Sequence, residues 1–316
     1  MTATYLVTGG GGFIGSNIAF HLVEQGESVR VLDNFSSGRQ SNLDAVRGRL
    51  DVVEGDIRDS ETVRRACRGI EMILHHAALP SVERSVSDPQ STHDVNITGT
   101  FNVLQQALGA GVKRVVFASS SAIYGNAPEL PKHERMLPEP ASPYALSKLT
   151  GEYYCRLFHS LYGLETFSLR YFNVFGPRQD PASDYAAVIP LFIKMIRNGD
   201  APVIHGDGGQ TRDFTFVEDI VEANLCCCRA PADAAGGVYN VAWGDRVSIL
   251  ELVQRIARSM DRDVEPRFTE SRAGDVRDSQ ADATLARERL GWQPRIELPE
   301  GLDRTVRWFD GKPAAR

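Results

Sequence analysis

Apolar positions in the first 170 residues alternate between short unbroken runs and longer stretches with helical spacing. Tyr5-Leu6-Val7 runs into glycines, Ile14, Ile18, Phe20, Leu22 and Val23 follow in a helical pattern, and Val29-Arg30-Val31-Leu32 is the next extended run. That order predicts a strand, helix, strand unit. Val52-Val53-Glu54, a helix through Val63 and Ala66, Met72-Ile73-Leu74, a helix from Val95 to Leu108 and Val115-Val116-Phe117 continue it. A helix carrying Tyr144 and Lys148 then leads to Thr166-Phe167-Ser168-Leu169. Strands that are apolar without alternation are expected to be buried on both faces, as in a parallel sheet.

The texture changes at Tyr171. Pro177, Pro181, Pro190 and Pro202 interrupt the pattern, and arginines are spread through loops. Residues 1–170 are therefore expected to form an α/β domain with a doubly wound parallel sheet. The helix around Val217 to Leu225 and the strand Val238-Tyr239-Asn240-Val241 look like a return of 215–242 to that sheet. Residues 171–214 and 243–316 are expected to form a smaller mixed α/β lobe that holds the substrate.

Composition narrows the classes. A chain of 316 residues, 42% hydrophobic and 24% charged, has the balance of an ordinary globular protein. A net charge of -6 gives no support for a nucleic-acid surface, which needs a concentrated basic face. No apolar run approaches the ~20 residues of a membrane span. The five cysteines, Cys67, Cys155 and Cys226-Cys227-Cys228, lack the paired spacing of zinc sites or disulfide frameworks, so they read as small buried residues in a reducing, cytoplasmic setting. No histidine cluster suggests a metal.

Two motifs carry chemistry. Tyr144 and Lys148 are four residues apart, so on a helix the phenol and the ammonium share a face, where the cation can hold a phenolate. In Thr8-Gly9-Gly10-Gly11-Gly12-Phe13-Ile14-Gly15, Gly9, Gly12 and Gly15 follow a strand and open a helix, the arrangement that cradles a dinucleotide pyrophosphate. Asp33 ends the second strand, where a carboxylate accepts both ribose hydroxyls and repels a 2'-phosphate, which favours NAD over NADP. Arg39 nearby points the other way, and Asp33 could instead cap a turn with Asn34. Asp56 and Ile57 could meet the adenine, with a turn aspartate as the alternative. Ala77 and Ala78 are small enough to let a cofactor approach the backbone.

These residues, together with His76-Ala77-Ala78, Asn96 in Asn-x-x-Gly-Thr and the run Ser119-Ser120-Ser121, resemble the extended short-chain dehydrogenases with their Rossmann-type sheet. Within that group the chain is similar to nucleotide-sugar 4-epimerases. Arg170-Tyr171-Phe172-Asn173-Val174-Phe175-Gly176, Ala186-Ala187-Val188-Ile189-Pro190 and Thr211-Arg212-Asp213-Phe214 resemble most closely the UDP-N-acetylglucosamine 4-epimerases. The resemblance implies that Tyr144 takes the proton of the sugar 4-hydroxyl, that Lys148 binds the nicotinamide ribose, and that Ser120 is the assisting hydroxyl. It further implies cofactor contacts from Phe13, Ile14, Asn34, Ser36, Gly38, Asn96, Ser119 and Phe172. Ser121 would touch the sugar, Asn173 and Arg212 the diphosphate, Arg272 and Asp275 phosphate and ribose, and Val188, Ile189 and His205 the uracil.

Related dehydratases place Asp-Glu directly after their catalytic threonine, and decarboxylases place a glutamate two residues after it; Ser121 and Ala122 stand here instead. Elimination then has no evident acid or base, and 4-epimerisation remains. Ser279 occupies the position where epimerases of N-acetylated sugars carry a small residue and stricter ones a tyrosine, so acceptance of UDP-N-acetylglucosamine and UDP-N-acetylgalactosamine is expected, with UDP-glucose and UDP-galactose as a further pair. A loop serine has a plain structural reading as well. Alternatives are a strict UDP-glucose or a uronate 4-epimerase and, from another class, a non-catalytic NAD-sensing module. The resemblance also implies a homodimer through the helices around Asn96 to Leu108 and Ser142 to His159.

Overall fold

The computed structural model describes residues 4–181, 187–270 and 277–311. Seven parallel strands form the central sheet: β1 Thr4–Thr8, β2 Ser28–Asp33, β3 Asp51–Glu54, β4 Met72–His75, β5 Arg114–Ser120, β6 Glu165–Tyr171 and β7 Val238–Val241. Their order across the sheet is β7-β6-β5-β4-β1-β2-β3. The apolar runs alternate between two cores. Leu6, Leu32, Ile73 and Val115 pack with Val63, Val103 and Leu104 on one face. Val7, Val31, Leu74 and Val116 pack with Ile18, Leu22 and Ile220 on the other. Burial on both faces explains why these strands carry no polar alternation. The exception is the edge: Val52 in β3 is 46% exposed.

Helix ends follow local chemistry. Asp59 caps the Ser60–Ala66 helix by accepting from Glu61 N. Ser142 accepts from Ala145 N, and Pro143 supplies the first residue of the Pro143–Tyr162 helix, which stops at Gly163 in the left-handed conformation. The expected Val95 to Leu108 helix is two pieces. A π-helical turn, Asp94–Thr98, runs into an α-helix, Gly99–Gly109. Such turns rotate the side chains that follow them and frequently sit at functional sites.

A third core lies in the second lobe. There Ile189, Phe192, Ile193, Leu252, Val253, Ile256, Leu302 and Val306 surround Phe175 and Phe216, which lie in two short parallel strands, Val174–Phe175 and Thr215–Phe216. Phe13, the first residue of the Phe13–Glu24 helix, packs against this core, so the glycine turn is held between the lobes. Among the described residues no helix is long and apolar enough to cross a membrane.

Candidate active site

The carboxyl ends of the parallel strands gather the chemistry. Because β1 lies between β2 and β4, the winding reverses there, and the loops after β1, β2, β4 and β5 open onto one crevice. Its floor is the glycine turn. Gly9 has φ +71°, and a Cβ on it would lie 2.6 Å from Ala77 N; a Cβ on Gly15 would lie 2.2 Å from Gly9 O. Only glycine lets the turn, the helix and the strand end approach this closely. Gly12 is different, since its Cβ would meet only Gly9 O at 3.2 Å, leaving its outer side accessible. Gly12 caps the helix without a side-chain bond, and no acidic residue lies in the first turn. The first-turn amides therefore present donors and the positive end of the helix dipole to an anion.

At the end of β2 the Asp33 carboxylate accepts from Gly11 N at 2.8 Å and from Phe35 N at 2.7 Å. Burial raises its pKa, and the amides of Phe35 and Gly11 pull it back. Asp33 thus braces the glycine turn and caps the turn through Asn34, so the two sequence readings are compatible. Ser36 Oγ donates to Asn34 Oδ1 at 2.7 Å, and a Cβ on Gly38 would lie 2.7 Å from the Gly11 carbonyl carbon, so this loop lies against the glycines. Asp56 is tied to Asn34 Nδ2 at 2.8 Å and to Arg58, whose guanidinium pulls its pKa down to about 2. Glycines, free helix amides and a strand-end carboxylate together fit a dinucleotide.

Opposite the turn, Ser120 ends β5 and accepts from Ala122 N at 3.1 Å, capping the short 3-10 turn Ser121–Tyr124. Burial raises the Tyr144 pKa, and the neighbouring Ser120 hydroxyl works against it. Lys148 is buried and donates to Ala118 O at 2.8 Å. Desolvation pushes its pKa down to about 8. Its ammonium lies 5.9 Å from the Tyr144 ring centre, one turn along the same helix. The turn bearing both residues is braced from below. Ser147 Oγ donates to Tyr144 O at 2.7 Å and accepts from Asn96 Nδ2 at 3.0 Å, and Asn96 holds both the N–H and the carbonyl of Leu79.

Several residues assigned from the resemblance have their side chains committed elsewhere. Asn96 is 2% exposed and spends its amide on that brace, and Ser119 Oγ donates to Glu152 Oε1 at 2.5 Å. Phe172 is fully buried beside Tyr124, and Ile57 and Ile189 lie in the cores. His75 bonds Thr8 Oγ1 and Thr100 Oγ1, His76 bonds Asn224 and stacks on Tyr171, and burial holds both imidazoles neutral, with pKa values of about 3 and 4.

The second lobe brings its candidates together by strand pairing. Thr211–Arg212 pairs with Val247–Ser248, Ser279 N donates to Thr211 O at 3.1 Å, and Asn173 Nδ2 donates to Asp213 O at 3.1 Å. Arg212, Asn173 and Ser279 therefore share one edge. Val188 opens the Val188–Asn198 helix, and His205 Nδ1 bonds Thr269 Oγ1 at 2.8 Å. Arg272 and Asp275 lie outside the described residues.

Sequence reading missed a buried network beneath this floor. Arg170 pairs bidentately with Glu152 at 2.9 and 2.8 Å and reaches Tyr124 OH at 2.8 Å; Tyr124 donates to Asn240 Oδ1 at 2.7 Å. Two signals for it were available: an arginine inside an apolar strand, and Glu152 following Tyr144 and Lys148 at steps of four on one helix face. Asp213 was also missed as a group in its own right. It is fully buried and accepts from Gly244 N and Ala281 N, and burial pushes its pKa up to about 7.

Residues 5–242 match the NAD dependent epimerase/dehydratase family. The chain is 42% identical over 312 residues to a UDP-glucose 4-epimerase of Mycolicibacterium smegmatis, covering 97% of this chain and 98% of that protein. The structure superposes with a TM-score of 0.94 on a UDP-N-acetylglucosamine 4-epimerase from Methanobrevibacter ruminantium in complex with UDP-N-acetylmuramic acid, at 38% identity and covering 98% of this chain and 99% of that one. A UDP-glucose 4-epimerase of Thermotoga maritima with UDP-glucose gives 0.93, also at 38% identity and with the same coverage.

Proposed function

The chain belongs to the NAD dependent epimerase/dehydratase family, and from that membership we propose an NAD-dependent isomerase that inverts C4 of UDP-hexoses through a 4-keto sugar. The pair we assign is UDP-N-acetylglucosamine and UDP-N-acetylgalactosamine, with UDP-glucose and UDP-galactose as a second. The observation that carries this reading is that the helix bearing Tyr144 and Lys148 is fastened to the end of β5, where Ser120 is followed directly by Ser121 and Ala122 rather than by a carboxylic acid.

Bound NAD supplies the hydride acceptor and donor for C4. The protein supplies the proton chemistry and the placement. Tyr144 takes the 4-hydroxyl proton and later returns it, while Ser120, held by Ala122 N, donates to the phenolate and lowers the cost of forming it. Lys148 lies one turn on, buried and fixed to Ala118 O, where its remaining N–H bonds suit ribose hydroxyls. Asn173 and Arg212 sit where a diphosphate would bridge the lobes, with a guanidinium able to meet two phosphate oxygens.

The small side chain of Ser279 supports the N-acetyl assignment, because a serine takes up less space than the tyrosine of stricter epimerases. The 42% identical relative favours a second reading, a strict UDP-glucose 4-epimerase. Incubation with each UDP-sugar, followed by separation of the product epimers, distinguishes them: turnover of the acetylated pair is expected, and its absence would sink the assignment. Ser279→Tyr should suppress the acetylated pair and spare the plain hexoses.

We also place a homodimer interface on the Pro143–Tyr162 helix. Leu146, Tyr153, Leu157 and Leu161 repeat at helical spacing and are 52%, 53%, 48% and 65% exposed, a contiguous apolar stripe of the kind that marks a partner surface.

A further inference from the structure

We propose that the Gly176 to Asp180 segment is a latch that governs how long the dinucleotide stays bound, closed by Arg178 on Asn17 and by Asp180 on Arg39. The inference rests on the NAD site at the glycine turn. Asn17 lies one turn into the Phe13–Glu24 helix. Its Nδ2 donates to Phe13 O at 2.9 Å and to Pro177 O at 3.0 Å, while its Oδ1 accepts from Arg178 Nη1 at 2.7 Å. Arg178 has φ +71°, a backbone conformation that a side-chain-bearing residue adopts at a cost. The Asn17 bond and the Phe20 ring, 4.8 Å from the guanidinium, hold it there.

The other end of the segment reaches a different loop. Asp180 Oδ2 meets Arg39 Nη2 at 2.5 Å, and Arg39 N and Asn42 Nδ2 both donate to Gly11 O, at 2.9 and 2.8 Å. One short segment is therefore fastened to the helix behind Gly12 and to the loop beyond Asp33. These are the two flanks of the path that a pyrophosphate on the helix amides and a ribose on Asp33 would follow. Release of the dinucleotide requires those flanks to part, and the segment spans them. The pairing also occupies the Arg39 guanidinium, the one feature of the sequence that favoured a 2'-phosphate. A cofactor that is restored within each catalytic round gains from slow release, since a departed molecule must be recaptured before the next sugar turns over.

The test follows bound NAD per chain over time. NAD-loaded protein is diluted into buffer containing an enzyme that destroys free NAD, and the remaining bound nucleotide is read after denaturing the protein. Asp180→Asn should release NAD about 2- to 5-fold faster, the scale of a half-exposed ion pair. Arg178→Ala, which loses a charge-assisted bond and a ring contact, should release it about 10-fold faster. With NAD in excess, kcat of both variants should stay within about twofold of wild type. Exchanging the charges, Arg39→Asp with Asp180→Arg, should restore slow release, and added salt should quicken release from wild type more than from Asp180→Asn. Wild-type release rates in both single variants would overturn the latch while leaving the NAD site intact. A wild-type protein that retains no NAD would overturn both.

Discussion

Glu152→Gln tests whether the network under the catalytic floor is a structural necessity. Both members of the Glu152 and Arg170 pair have side chains only 4% exposed, and the substitution leaves a buried guanidinium facing a neutral amide. Removing one partner of such a pair costs about 3–5 kcal/mol. For 316 residues the entropy of unfolding is about 0.66 kcal/mol per kelvin, so the thermal midpoint should fall by about 5–8 °C. A control gives the contrast: Glu61→Gln breaks the exposed Arg64 pair, 51% and 55% accessible, and should shift the midpoint by less than about 1.5 °C. Replacing both buried partners, Glu152→Met with Arg170→Met, should recover part of the loss, because no lone charge remains; Ser119 then lacks its acceptor, which leaves a residual cost of about 1–3 kcal/mol. Unfolding followed by circular dichroism reads all four proteins. A Glu152→Gln shift as small as the control, or a double variant less stable than Glu152→Gln, would refute the reasoning.

Tyr144→Phe should lower kcat by about 10²- to 10⁴-fold with little change in KM, and Ser120→Ala should cost less and move the alkaline limb of the rate profile, measured by coupled assay across pH. Asp213 has a folded pKa of about 7, well above its ordinary value, so its stabilising contribution is complete below about pH 4 and is lost as pH rises through about 7. Urea unfolding between pH 4 and 8 should show a decline in that window that Asp213→Asn abolishes; an unchanged slope would discount this carboxyl as its source. If the proposed interface holds, light scattering should find the wild type as a dimer and a folded Leu157→Arg as a monomer; a monomeric wild type would refute it.

The fold was legible because parallel strands buried on both faces leave unbroken apolar runs. The glycine turn was legible because a Cβ on Gly9 or Gly15 would lie 2.2 to 2.6 Å from neighbouring backbone, which leaves glycine no substitute. Tyr144 and Lys148 were legible because helical spacing translates directly into a shared face. What stayed hidden depends on contacts far apart in sequence. The partner of Lys148 is a strand carbonyl 30 residues away, and nothing local announces that bond. The break at Asp94 was hidden for a related reason: a π turn keeps the helical pattern of apolar residues while shifting its phase. Arg178 and Asn17, 161 residues apart, left no signal at all.

The position of β7 governs the order in which the protein can be made. The sheet does not close with β6: its neighbour, Val238–Val241, lies about 70 residues downstream, a delay of about 4–14 s at ribosomal speeds. Throughout that interval β6 is an open edge bearing Phe167 and Leu169, the kind of surface on which nascent chains stick to one another. Chains arrested before Val238 should therefore be digested readily at β6 and captured by chaperones, and chains extended past Val241 should not.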